Sequence, residues 1–308
     1  LRFGFIDVYS GGRTYANNDG VIKTGWITVN GKQYYVKPDT RLLATGTLTI
    51  GDITYKFGED GALLQTITKP GWHEVDGQKY YYDENGQMLK GMQPIGGKWY
   101  YLDETTGALW TGGWKQNLKG AYFWSGADGI VPYGLNEIEG TWRYIDPNTG
   151  YLRFGFIDVY SGGRTYANSE GVIKTGWITV DGKQYYVDPD TKLLLTGWQT
   201  VGGQKYYFDA TGQQLKGMQP INGYWYYLDE TTGVLWTSGW KQLSGGKIWS
   251  DATGKIPLGY QVVDGYWRYF SVNTGYLQTG FFIVHTGGQS YADTEGRVTA
   301  GWKNINGK

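Results

Sequence analysis

Fifteen tryptophans and 28 tyrosines are the residues of this chain best equipped to do chemistry. Trp99, Trp110 and Trp114 fall within sixteen residues, and Trp225, Trp236 and Trp240 repeat that spacing 126 residues later. An exposed indole presents a flat apolar face with a negative quadrupole. Such a platform takes sugars through CH–π contact and quaternary ammonium groups through cation–π contact. Trp110 and Trp236 stand just before a glycine, where other units carry Leu43, Leu89 or Leu194, so they present more surface than packing needs. Trp142 and Trp267 complete the candidate ligand-binding set. A larger local core is the competing reading of all eight. Two copies of one site would add avidity through effective concentration.

Other chemistries are excluded or poorly supplied. The chain has no cysteine, so disulfides, thiolate metal sites and cysteine nucleophiles are absent. His73 and His285 are its only histidines. Acidic residues recur at one turn position, as Asp83, Asp103, Asp146, Asp188, Asp209 and Asp229. Aspartate there normally accepts from its own backbone, whereas a glycosidase pair should be a unique constellation. No phosphate loop, nucleophile elbow or zinc-protease motif is present. The chain is therefore expected to be no enzyme and to need no metal or cofactor. Twenty-eight basic residues balance 28 acidic ones, which leaves no field for nucleic acid or an anionic membrane. No apolar run reaches the ~18 residues that span a bilayer.

The elements that must position the aromatics are repeats. A glycine followed by a large apolar residue opens each unit, from Gly4-Phe5, Gly25-Trp26 and Gly71-Trp72 to Gly280-Phe281 and Gly301-Trp302. The period is near 21 residues and gives about 14 repeats. Residues 1–40 return almost unchanged as 152–191, and 71–114 return as 197–240. The chain thus reads as one repeat array, residues 1–308, internally duplicated as 1–151 and 152–308. A degenerate extra unit, 46–70, ends in Lys69-Pro70 and is expected to kink or weaken the array. Starting at Leu1 without an initiator methionine, the array is expected to be part of a longer protein.

Unit 71–90 shows the local logic. Trp72 to Val75 alternates apolar and polar residues, Asp76-Gly77 is a hairpin-turn pair, and Gln78 to Tyr82 is a tyrosine-rich strand closed by a second turn. Two strands and two turns in 21 residues leave no room for a helix. The expectation is an all-β solenoid of stacked hairpins, because an isolated hairpin is marginal in water. Within the second strand one position is aromatic in every complete unit but the degenerate one, among them Tyr15, Tyr35, Tyr81, Tyr101 and Tyr227. Such uniformity points to core packing. Two positions earlier the units divide. Trp99, Trp142, Trp225 and Trp267 occur only where the unit opens with Met92, Leu135, Met218 or Tyr260 instead of Gly-Trp.

These motifs resemble the cell-wall-binding or choline-binding repeat family, which is related to the glucan-binding repeats of glucansucrases and to clostridial toxin repeats. Residues 197–217, opening Gly197-Trp198 and containing Lys205-Tyr206-Tyr207-Phe208-Asp209, carry the likeness in one unit. The resemblance implies a left-handed solenoid with about three hairpins per turn. It implies a non-catalytic attachment module of a secreted, cell-surface Gram-positive protein, with a catalytic or adhesive domain elsewhere in the parent chain. Because Gly-Trp and Trp-Tyr-Tyr fall in different units, the first expectation for the partner is a glycan, either α-glucan or cell-wall polysaccharide. Choline on teichoic acid is the alternative, and a structural stalk or protein-binding surface is the third reading.

Overall fold

A computed structural model describes residues 2–51 and 53–299. The last repeat start, Gly301-Trp302, lies outside the described residues. Among the described residues there is no helix, and thirty strands form fourteen small antiparallel sheets, twelve of them two-stranded. The β-hairpin solenoid expected from the period is what the chain forms.

The hairpins follow the repeat glycine. Gly176–Val180 pairs with Lys183–Val187 in the register Gly176↔Val187, Trp177↔Tyr186 and Val180↔Lys183. The turn between them is Asp181-Gly182, both with positive φ, as a tight two-residue hairpin requires. Gly176 itself sits at φ +85°. A Cβ built there would meet nothing within 4 Å, so backbone conformation and not space demands glycine. The turn aspartates behave as expected: Asp83 Oδ1 accepts from the N–H groups of Asn85 at 2.9 Å and Gln87 at 2.8 Å.

Consecutive hairpins are joined by backbone bonds as well as by side chains. The strand-like residue after each hairpin donates back to the second strand of the hairpin before: Leu109 N–H to Lys79 O at 2.7 Å, Leu194 to Arg164 at 2.7 Å, Leu235 to Lys205 at 2.8 Å. Degenerate unit 46–70 keeps a full hairpin, Gly46–Ile50 with Ile53–Phe57, and adds a third strand, Leu63–Thr68, with a register irregularity at Lys56/Phe57. The structure divides into two compact units. The first comprises 1–136 and 145–152, the second 137–144 and 153–308.

The core does not run along the uniform tyrosine column. The most buried position lies one residue further on, directly across from the repeat glycine, where Val36, Leu102, Val187, Phe208, Leu228 and Phe270 are all 0% exposed. The tyrosines expected in the core are mostly half-buried, among them Tyr15, Tyr35, Tyr81, Tyr186 and Tyr207. Side chains alternate faces along a strand, so the uniform position and the buried one are on opposite faces. Four members of the tyrosine column are fully buried: Tyr101, Tyr144, Tyr227 and Tyr269. They belong to the four units with tryptophan two positions earlier, so the two sequence classes are two ways of covering the same ring.

Two substitutions separate these layers. Phe208→Ala should cost about 3–5 kcal/mol, because it empties a sealed position. Gly176→Ala should cost about 1–2 kcal/mol, from the left-handed backbone alone. Urea denaturation of each purified variant measures both. A Gly176→Ala loss as large as that of Phe208→Ala would show that the glycine is needed for space.

Candidate functional site

The site residues are set by strand register. The residue after each repeat glycine lies opposite the uniform tyrosine, so both rings share the face away from the sealed column. Trp72 meets Tyr81 across its own hairpin at 5.1 Å between ring centroids and 77° between planes. It also meets Tyr100 of the following hairpin at 5.0 Å and 70°. This edge-to-face triad recurs. In the first unit it is also Phe5–Tyr15–Tyr34 and Trp26–Tyr35–Tyr55, and in the second it is Phe156–Tyr166–Tyr185, Trp177–Tyr186–Tyr206 and Trp198–Tyr207–Tyr226.

The triads differ in what lies over the leading ring. The Arg13 guanidinium sits 4.6 Å from the Phe5 ring, Arg164 sits 4.6 Å from Phe156, and the Lys205 ammonium sits 5.0 Å from Trp198. Among the described residues no cation covers Trp26, Trp72 or Trp177. These three indoles remain 41%, 39% and 42% exposed. At Trp72 the surface is concave, a cleft of about 360 Å³ lined by Trp72, His73, Glu74, Lys79, Tyr100, Leu109 and Asp128. Two carboxylates against one ammonium, with an indole and a phenol ring as walls, suit a cation that is partly apolar.

The eight tryptophans singled out in the sequence are placed in several ways. Trp99 and Trp225 are half-buried with the indole N–H donated to backbone, Trp99 to Pro147 O at 2.9 Å and Trp225 to Val272 O at 3.3 Å. Trp225 and Trp236 pack together on the cluster of Tyr227, Ile248 and Ile256, whereas Trp240 packs on the next cluster, that of Val263, Phe270 and Leu277. Trp240 stacks on Phe270 at 6.1 Å and 24°, donates to Asp264 Oδ2 at 2.7 Å, and lies under Lys247 and Arg268. Trp114 is half-buried opposite Trp124. The Lys192 ammonium is 4.4 Å from the Trp142 ring, and Trp267 is 56% exposed.

The backbone also corrects the alignment of Trp110. Its N–H donates to Tyr101 O, as Ala44 does to Tyr35, Leu89 to Tyr81, Leu195 to Tyr186 and Leu215 to Tyr207. Trp110 and Trp236 therefore replace Ala44, Leu89, Leu195 and Leu215. The places of Leu43 and Leu194 belong to Leu109 and Leu235. Over Trp110 lies the Lys115 ammonium, at 4.4 Å from this ring and 5.5 Å from Tyr101, with an ion pair of 2.9 Å to Asp103. That bond to Lys115, with the N–H groups of Thr106 and Thr105, holds the Asp103 carboxyl well below the usual carboxylate range. Burial, with the Glu104 and Asp103 carboxylates nearby, pushes the Tyr101 phenol up to about 12.

The triads were missed in the sequence because their third member comes from the next hairpin. The available signal was the Tyr-Tyr pair, one tyrosine for each neighbour.

Comparison with known families falls on these residues. The family described as choline-binding repeat matches 70–114 and 195–240, spans that hold the Trp72 and Trp198 triads. The family described as cell wall binding repeat matches 24–39 and 175–190, which hold Trp26 with Tyr35 and Trp177 with Tyr186. These stretches of the chain match choline-binding and cell-wall-binding repeats. Solved structures similar to this chain include CbpJ from Streptococcus pneumoniae, 23% identical over 89% of this chain and 99% of that one, with a TM-score of 0.42. Choline-binding protein F from Streptococcus pneumoniae is 23% identical over 90% of this chain and 98% of its own, with a TM-score of 0.35. The choline-binding domain of CbpL from Streptococcus pneumoniae is 25% identical over 61% and 97%, with a TM-score of 0.43. No curated protein sequence matches the chain.

The depressed Asp103 gives this repeat protein a pH signature. A carboxyl whose folded pKa lies below its unfolded value stabilises the fold above the unfolded value, near ~4, and that contribution is lost as pH falls further. The melting temperature of the wild type should therefore fall more steeply between about pH 4 and pH 2 than that of Asp103→Asn. Parallel acid limbs in the two proteins would remove Asp103 as the cause.

Proposed function

We propose that this repeat protein is a non-catalytic attachment module that binds choline-bearing cell-wall polymer, such as decorated teichoic acid, at the open triads of Trp26, Trp72 and Trp177. It would act at the surface of a Gram-positive cell and hold a catalytic or adhesive domain of its parent there. The observation that carries the reading is the Trp72 cleft: an uncapped Trp–Tyr–Tyr triad beside Glu74 and Asp128. A trimethylammonium group has no proton to donate, so it gains from aromatic faces and diffuse negative charge and not from directed hydrogen bonds. The match of the choline-binding repeat family to 70–114 supports this order of preference over the glycan expected first from the sequence.

A glycan reading keeps one specific support. Trp267 is 56% exposed and lies opposite Val262, itself exposed, which makes a flat apolar surface suited to the face of a sugar ring.

Titration of intrinsic fluorescence with choline chloride, and separately with soluble α-glucan and cell-wall polysaccharide, distinguishes the two. Choline should saturate the signal. Trp72→Ala should weaken binding at its site by about fivefold, the equivalent of roughly 1 kcal/mol. Its stability cost should stay below the ~3–5 kcal/mol of a fully buried tryptophan. A response to glucan with none to choline would transfer the function to the glycan reading.

A further inference from the structure

We propose that Lys115 and Lys241 are resident ammonium ligands, each filling an aromatic box that would otherwise accept an external quaternary ammonium, so that these two positions of the array are closed. The inference rests on the reading of aromatic cages as choline sites, and asks which cages are available.

Three observations carry it. First, the two boxes have one geometry. Lys115 Nζ lies 4.4 Å from Trp110 and 5.5 Å from Tyr101, and Lys241 Nζ lies 4.4 Å from Trp236 and 5.3 Å from Tyr227. The geometry survives although one intervening residue differs, Gly112 in one copy and Ser238 in the other.

Second, tryptophan and lysine occur together. Where the Trp110 position holds Ala44, Leu89, Leu195 or Leu215, the residue two after the next repeat glycine is Leu48, Gln93, Gln199 or Gln219. A tryptophan serving only as larger core would not need an ammonium five residues on.

Third, the lysine is held in place. Lys115 stands opposite Phe123 and Lys241 opposite Ile248, both 0% exposed. The Lys115 side chain is only 24% exposed and is tied at 2.9 Å to Asp103, whose Oδ1 accepts from the Thr105 and Thr106 N–H groups at 2.9 Å each. Removing the ammonium would leave two aromatic walls and a fixed carboxylate, the complement of a small organic cation. The open triads at Trp26, Trp72 and Trp177 have no such resident cation among the described residues. Occupancy of the repeats is thus selected by where the chain spends its own cations.

The test is a count of choline sites on the full chain by equilibrium dialysis, with far-UV circular dichroism to verify folding. Lys115→Met should add one site, Lys241→Met one, and the double variant two, with affinities within about tenfold of the open triads. The chain has no cysteine, so Lys115→Cys can be alkylated uniquely. Treatment with 2-bromoethylamine restores an ammonium of lysine length and should return the count to that of the wild type. Bromoethane gives the corresponding thioether without the ammonium group and should leave the extra site. If the folded Met variant, or the ethylated protein, binds no more choline than the wild type, the proposal is overturned. Wild-type binding that is indifferent to Trp72→Ala would instead sink the reading of the open triads, and leaves the gain on Lys115→Met to be scored separately.

Discussion

A two-stranded hairpin buries too little to hold itself together in water, and here the deficit is made up by one edge-to-face contact passed along the chain. In six hairpins the leading ring touches a tyrosine of its own hairpin and another of the next, as Trp177 does with Tyr186 at 5.2 Å and Tyr206 at 5.1 Å. Such pairs are worth ~0.5–1.5 kcal/mol each beyond area burial, so the total grows with the number of neighbours, as in other quasi-one-dimensional proteins. The geometry has a second consequence. A ring that must reach a neighbour edge-on keeps part of one face in solvent, so the contact that stacks the hairpins is also the wall of a cage.

What varies along the array is how that face is covered. Arg13, Arg164 and Lys205 lie over three of the leading rings, while Lys115 and Lys241 occupy boxes built around a different pair of tryptophans. The balanced charge of the chain, 28 basic and 28 acidic residues, conceals this arrangement. Cations placed against π-systems are local structural parts, not contributors to a long-range field. A nearly uniform repeat can in this way carry non-uniform sites without any change of backbone.

The division of units into Gly-Trp and Trp-x-Tyr classes has the same root. Where tryptophan follows the glycine, it lies across the uniform tyrosine and leaves it half-buried. Where methionine or leucine follows, the tyrosine is sealed, Tyr101 against Phe123 at 4.2 Å and Tyr227 against Ile248 and Ile256. Trp99 and Trp225 then anchor through backbone carbonyls. The tryptophan of each class therefore does different work, and the count of tryptophans is a poor guide to the count of sites.

Period, strand content and turns were legible in the residues alone, because each is local: a glycine at positive φ, an Asp-Gly or Asn-Gly pair, and alternation with period two act over a few neighbours. The choice of inward face was not. Uniformity suggested that Tyr35 and Tyr186 pack the core, yet the sealed column is the chemically varied one, Val36, Leu102, Phe208 and Ser250. An enclosed slot tolerates any residue whose volume its own neighbours match, while a ring handed to the next hairpin must always be aromatic. Grouping was hidden for a related reason. Trp225, Trp236 and Trp240 are close in sequence, but successive hairpins bury different clusters, so Trp240 joins Phe270 while the other two join Tyr227. The triad of Trp72 likewise needs Tyr100, and the box of Trp110 needs Lys115 from the following strand. Those distances are set by the register between hairpins, which only the tertiary structure decides, because it arises from contacts that no single repeat contains.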